Sequence, residues 1–249
     1  MAAKILPLHH ASLQWKDPNK LTAARDMTVA LKRGFPIVSF TEVFDGNERD
    51  LERVAKPLGY KLAQSAGNDA ICVHEDFKVL DTDATLVNPA QKGKPPVGGH
   101  SVRHAAWVQV RWDGERIFYV EGHWVTGFGK DPERTESHNE MSEEIVRLVQ
   151  EYGQGAKLAF FAGDVNARDT KGIQPGYKIL DKGNLTTCWD EEGVWPPTHG
   201  TAKNGHTIDV IGSYDLDGRV SCVRAKSHKK VESDHWPISA WYEIKDKRR

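Results

Sequence analysis

Apolar positions along the chain fall into short runs with strand-like spacing and longer segments with helical spacing. Residues 157–161, Lys-Leu-Ala-Phe-Phe, have the pattern of a buried strand, and Gly163 beyond them permits a turn or a close backbone approach. Residues 4–8 are a second short apolar strand, running into His9-His10. Leu21, Ala24, Val29 and Leu31 predict a helix over 21–31 that stops near Gly34. Residues 36–43 predict a strand with Glu42 near its end, and 48–55 a short helix closed by Pro57 and Gly59. Residues 70–73 and 77–80 alternate like the two strands of one antiparallel pair. Segments 105–111 and 117–121 flank Asp113-Gly114, a hairpin signal. The polar stretch 129–139 predicts a loop, and 141–152 an amphipathic helix with Ile145, Leu148 and Val149 on one side and Gly153 at its end. Residues 91–99 are the most loop-like stretch, and 207–211, 220–223 and 238–244 read as strands. Hairpin-linked strands mixed with helices point to an α+β fold with antiparallel sheets rather than a doubly wound parallel one.

Composition narrows this picture. The 249 residues show no linker-like tract, composition break or internal repeat, which predicts one domain over 1–249. A net charge of −1 means that any nucleic acid would have to be held by a local basic patch rather than by bulk charge. Cys72, Cys188 and Cys222 are odd in number and widely spaced, so they imply no disulfide framework or zinc pattern and favour a reducing compartment. With no long apolar leader and no run of membrane-spanning length, the expectation is a soluble, cytoplasmic monomer without a membrane partner.

Polar residues gather at the predicted strand ends: Glu42, His123, Asp164 with Asn166, Asp209 and the run Ser233-Asp234-His235. Each has a plain structural explanation. Gly, Asp and Asn are turn formers, a lone histidine is commonly a satisfied core or surface residue, and Asp234-His235 fits a surface turn. Asp209, between Ile208 and Val210, is harder to dismiss, because an inward carboxylate needs a partner. Together these residues suit one chemistry. Carboxylates such as Glu42 and Asp234 bind hard cations, Mg²⁺ or Mn²⁺. A carboxylate set on a histidine fixes its tautomer and favours its charged form. An Asp and an Asn beside that pair can orient a water and a phosphate oxygen, which is metal-assisted phosphoester hydrolysis.

The same residues carry a resemblance. Ser39-Phe-Thr-Glu42-Val, Gly122-His123, Gly163-Asp164-Val-Asn166, Thr207-Ile-Asp209-Val and Ser233-Asp234-His235-Trp-Pro resemble, in order, the motifs of the endonuclease/exonuclease/phosphatase family, the DNase I-like superfamily. The resemblance runs from about Lys4 to Trp241. It implies a four-layer α/β/β/α sandwich of two mainly antiparallel sheets flanked by helices, with the site at one edge. It further implies that Glu42 holds the metal with Asp234 near it, that Asp164 orients or deprotonates the attacking water, and that Asn166 binds the scissile phosphate. His235, held by Asp209, would bond a phosphate oxygen or act as acid or base, and His123 would contact the phosphate or help the leaving group. Arg103 falls where family members place a phosphate-binding arginine.

The chain also departs from the family pattern. The first strand normally ends in asparagine, and the best match puts His9 there, as a candidate nitrogen ligand that would move metal preference toward Mn²⁺. Alternatively His9 only replaces the amide's hydrogen bonds, or His10 is the inward residue. Threonine precedes Glu42 where glutamine is common, and Asp209 follows Thr-Ile rather than Arg-Ile.

The resemblance implies a nuclease acting on phosphodiester bonds, with DNA as the favoured partner. Arg224, Lys226, His228, Lys229 and Lys230, together with Lys92 and Lys94, are candidates to grip backbone phosphates, or are simply solvated basic loops. A phosphatase or phosphodiesterase for a small molecule or lipid headgroup is the alternative, and a non-enzymic binding domain the third.

Overall fold

The computed structural model describes residues 3–13, 20–43, 47–88, 102–126, 131–166, 175–200, 205–215, 217–228 and 233–246. In chain order the elements are β1 (Lys4–Ser12), α1 (Lys20–Leu31), β2 (Ile37–Thr41), α2 (Asn47–Ala55), β3 (Tyr60–Ala66), β4 (Asp69–His74), β5 (Lys78–Leu86), β6 (His104–Trp112) and β7 (Glu115–His123). There follow α3 (Pro132–Ala156), β8 (Lys157–Asp164), α4 (Pro175–Lys182), β9 (Leu185–Thr187), α5 (Cys188–Glu192), β10 (Asp209–Tyr214), β11 (Val220–Ser227) and β12 (Ile238–Ile244). The first sheet has the order β11-β12-β1-β2-β4-β3 and the second β5-β6-β7-β8-β10-β9. Only β1–β2 and β7–β8 pair in parallel among these neighbours.

Period-two alternation sorts each strand between an inner and an outer face. In the first sheet Leu6, Leu8, Ile37, Ile71 and Val73 enter the main core, while Ala11, Val38, Phe40, Ala70 and Cys72 join a second core under α1 and α2. In the second sheet Tyr119 and Phe160 reach the first sheet, through Ser39 and Tyr242 respectively. Phe118, on the opposite face, stacks on Tyr152 of α3. The result is two mixed sheets face to face with helices outside, the α+β sandwich expected. No helix of the described residues is long and apolar enough to cross a membrane.

Two expectations need correction. Residues 70–73 and 77–80 do not pair with each other. β4 lies between β2 and β3 in the first sheet, whereas β5 pairs with β6 in the second. The chain crosses between sheets through a tight turn closed by Phe77 N–H to the His74 carbonyl (3.0 Å), and alternation alone does not say which sheet a strand joins. The polar stretch 129–139 is also largely helical, since α3 starts at Pro132. Asp131 receives the Glu133 N–H (2.9 Å), proline suits the first turn, and polar side chains of the next turn find partners inside: Asn88 donates to Ser137 (3.0 Å) and His138 Nε2 to the Val165 carbonyl (2.9 Å). The predicted hairpin forms, with Asp113 and Gly114 both at positive φ (46° and 83°) as a tight β6–β7 turn requires. The loop expected at 91–99, with Lys92 and Lys94, lies outside the described residues, as do Lys229 and Lys230.

Candidate active site

The space between the sheets turns polar at one end. Along the inner face of β1, Leu6 and Leu8 give way to His10 and Ser12; along β7, Ile117 and Tyr119 give way to Glu121 and His123; β8 ends its inner row with Asp164. β10 begins with Asp209 and β4 with Asp69. Strand register then aligns three of these side chains: His123 is opposite Asp164, and Asp164 opposite Asp209. Gly163 makes this tight row possible, because a Cβ there would sit 1.9 Å from the Gly122 carbonyl oxygen on the neighbouring strand.

His235 enters from the segment before β12. Its Nδ1 lies 3.1 and 3.2 Å from the two oxygens of Asp209, and its Nε2 3.8 Å from Asp164 Oδ2. Burial alone would lower the His235 pKa, but Asp209 and then Asp164 outweigh it and lift it to about 10, so the ring is an imidazolium at neutral pH. Burial pushes the Asp209 carboxyl up, but His235 and His10 outweigh that and hold it well below the usual range. Asp209 is fixed from behind as well: its N–H donates to Thr198 Oγ1 (3.0 Å) and its carbonyl accepts Trp189 Nε1–H (3.0 Å).

Asp164 faces two histidines, with His123 Nε2 3.6 Å from the same Oδ2 that His235 approaches. Its Oδ1 accepts the Asn166 N–H (2.8 Å), and the Asn166 amide donates to the Trp124 carbonyl (2.8 Å). The Gly-Asp-Val-Asn stretch is thus a turn as well as part of the cluster, with Asn166 at φ 53°. Burial raises the Asp164 pKa well above the carboxylate range, opposed by His235 and reinforced by Asp209 and Glu42. His123 is neutral, since burial and then the Arg103 and His235 charges lower its pKa well below the usual value. Arg103 Nη1 lies 3.5 Å from His123 Nδ1, and a guanidinium only donates, so the ring proton sits on Nε2, toward Asp164.

Glu42 follows β2 at φ 62°, a backbone region that is costly for a side chain with a Cβ and is met at functional sites. Its charge reaches both Asp164 and His235. Asp234 lies on the rim, 55% exposed, with His199 Nε2 3.4 Å from its Oδ2; that contact first, and the His235 charge after it, lower its pKa.

The structure therefore brings together Glu42, Arg103, His123, Asp164, Asn166, Asp209, Asp234 and His235. It does not bring in His9. Because Leu6 and Leu8 point inward, His10 does too, and His9 faces outward, stacked on Phe35 with ring centroids 5.2 Å apart. His10 Nδ1 is 3.0 Å from Ser39 Oγ and its Nε2 is 3.7 Å from Asp209 Oδ1.

Three members of the cluster were not singled out from sequence, and His10 only as the alternative to His9. Alternation with apolar neighbours selects His10, Asp69 and Glu121. Glu121 is fully buried with both carboxyl oxygens unpartnered, and burial, then Asp69 and Asp164, raise its pKa so that it is protonated. His199, bridged to both His206 and His235 outside any strand, left no periodic signal.

The donor set suits a hard divalent cation. Asp209 and Glu42 crowd Asp164 with like charge, which a cation relieves, and the carboxylates of Asp164 and Asp209, or Asp234 with His199, present ligand atoms within 4.8 Å of one another, while the charged His235 is left for the substrate.

No family model matches the chain, and no curated protein matches it. Solved structures do match over nearly the whole length. An endonuclease/exonuclease/phosphatase from Bacteroides vulgatus superposes with a TM-score of 0.78 at 17% identity, covering 97% of this chain and 100% of that one. The fold is that of the endonuclease/exonuclease/phosphatase family. Zebrafish (D. rerio) TDP2 complexed with a single-strand DNA product gives 0.72 at 14% identity, covering 96% and 99%. A mannosyl-6-phosphatase from Bacteroides thetaiotaomicron gives 0.69 at 16% identity, covering 95% and 99%.

Proposed function

We propose that the protein is a divalent-metal-dependent phosphoester hydrolase that cleaves phosphodiester bonds in nucleic acid, DNA in preference. The observation that carries this reading is the row His123–Asp164–Asp209 closed by a charged His235, a buried arrangement in which one acid is lifted and its neighbour depressed. Environments that drive neighbouring pKa values apart are typical of acid–base sites. In this reading Glu42 and Asp234 hold Mg²⁺ or Mn²⁺, which supplies positive charge to the phosphate. Asp164, ionised where a bound cation offsets the like charge of Asp209 and Glu42, would take the proton of the attacking water as the water oxygen bonds to phosphorus and the bond to the leaving oxygen breaks. The His235 imidazolium donates to a non-bridging phosphate oxygen, with the Asn166 amide and Arg103 beside it. Asp209 keeps that imidazolium charged and oriented, and neutral His123 presents Nε2–H to the phosphate. The fold shared with TDP2 bound to single-strand DNA product supports a nucleic-acid substrate.

A small phosphorylated molecule is the second reading, favoured by the same fold in a mannosyl-6-phosphatase. The experiment is hydrolysis, with Mg²⁺ or Mn²⁺, of plasmid, linear and abasic DNA, of RNA and of a small phosphomonoester. Cleavage of the polynucleotides with steep loss of affinity as salt rises supports the first reading. Hydrolysis of the monoester alone supports the second.

A further inference from the structure

The outer face of the first sheet, behind the catalytic residues, holds a group of basic side chains that the proposed chemistry does not use. Register places His9 and Lys226 opposite Ser239, on either side of it, and Pro7 and Arg224 opposite Trp241. Ser239 Oγ lies 2.8 Å from both His9 Nδ1 and His228 Nε2, which ties the two imidazoles together. Arg33, in the turn after α1, adds its guanidinium: its charge depresses the pKa of both His9 and His228. Arg224 stacks over Trp241 (4.8 Å), and Trp241 leans on Phe35 (5.6 Å). Five basic side chains therefore share one face around an aromatic floor.

Among the described residues none of the five forms an ion pair with a carboxylate. Glu191 and Glu192 of α5 turn their carboxylates to the β11 backbone, accepting the Cys222 and Ala225 N–H groups (2.6 and 2.7 Å), and form no ion pair with Arg224 or Lys226. Two buried polar atoms are also orphaned, His9 Nε2 and Arg33 Nε. A cation after a helix end complements the helix dipole, but the Arg33 side chain makes no hydrogen bond to the α1 carbonyls, so the dipole does not satisfy its donors. The unpaired Arg33 Nε–H and the gathered charges of Arg33, Arg224 and Lys226 both cost stability, and a multivalent oxyanion relieves both.

We propose that Arg33, Lys226, His228 and Arg224 form a phosphate-binding site on the outer face of the first sheet, with His9 and Ser239 as its base. It is separate from the catalytic cluster, to which β1 turns the adjacent His10. Two sources carry this chemistry: the backbone of a bound polynucleotide passing over the sheet edge, or free phosphate.

The test is imidazole NMR of the whole protein in EDTA during titration with inorganic phosphate, with His9 and His228 signals assigned by His9→Asn and His228→Asn. Both should shift saturably, and in Arg33→Gln the apparent affinity read from them should fall about tenfold or more. Shifts of His123 and His235 report the catalytic cluster and should be unchanged by Arg33→Gln, so failure of one site is distinguishable from failure of the other. Lys226→Gln, an exposed change, repeats the test without risk to the fold. Anisotropy of a labelled single-stranded oligonucleotide then separates the sources. Weaker binding and a shallower salt slope in Arg33→Gln assign the site to polynucleotide backbone; unchanged oligonucleotide binding assigns it to free phosphate. If His9 and His228 do not respond to phosphate, or respond identically in wild type, Arg33→Gln and Lys226→Gln, the proposal is overturned.

Discussion

His235 Nδ1 lies 3.1 Å from Asp209 Oδ2, although Asp209 begins β10 of the second sheet and His235 leads into β12 of the first. The contact joins the sheets at the polar end of the core and sets the charge of the histidine. If the two act as a unit, Asp209→Asn and His235→Ala should each slow turnover, and the double variant should be little slower than His235→Ala alone. Steady-state rates of the four proteins check this; additive losses would separate the pair.

The raised pKa of His235, about 10, has a thermodynamic consequence. The native state holds a proton that the unfolded chain releases near its ordinary pKa of about 6.5. The stabilisation is therefore complete below about 6.5 and is lost as pH rises toward 10. Thermal unfolding of wild type and His235→Gln should show a gap in Tm that narrows between about pH 7 and 10. A constant gap would mean that His235 is not charged in the native protein.

Asp164→Asn keeps the turn geometry and removes a buried acid. We expect unchanged or higher thermal stability with a rate fall of ~10²-fold or more. A folded variant with full activity would reduce the Asp164–Asn166 stretch to a turn.

How much of this was legible in the chain depends on the residue. The antiparallel α+β arrangement and the β6–β7 hairpin follow from alternation and from Asp113-Gly114. Asp164, Asp209 and His235 were readable because polar side chains at the ends of apolar strands need partners. Of the two readings open at the end of β1, the motif match favours His9, whereas period-two alternation from Leu6 and Leu8 selects His10, the inward residue. β3, β9, α4 and α5 were missed: short or weakly patterned segments are fixed by what they pack on, as when the Thr187–Asp190 capping box starts α5 against the β11 edge. Sheet membership of β4 and β5 is a tertiary property with no local signal.

The corrected placement gives its own prediction. His9→Asn should leave the Mg²⁺ and Mn²⁺ activity profiles as in wild type, because His9 lies across the sheet from the cluster, whereas His10→Asn, beside Asp209, should lower turnover. A shifted metal profile in His9→Asn would place that residue at the metal.

Glu121 offers a stability test. Its proton is held in the native state and released by the unfolded chain above about pH 4.3, so wild-type stability falls as pH rises through that range. Glu121→Gln removes the ionisation, and its Tm advantage over wild type should be larger at about pH 8 than at pH 5. A disadvantage at both would show that Glu121 carries its charge when folded.

The central claim, metal-dependent phosphodiester hydrolysis by this cluster, meets its most direct test in single-turnover cleavage of a labelled DNA oligonucleotide by wild type and Glu42→Ala, with Mg²⁺, with Mn²⁺ and with EDTA. The account predicts cleavage by wild type with either ion and none with EDTA, and a folded Glu42→Ala protein with little activity in any condition. Cleavage that persists in EDTA, or Glu42→Ala turning over at the wild-type rate, would contradict it.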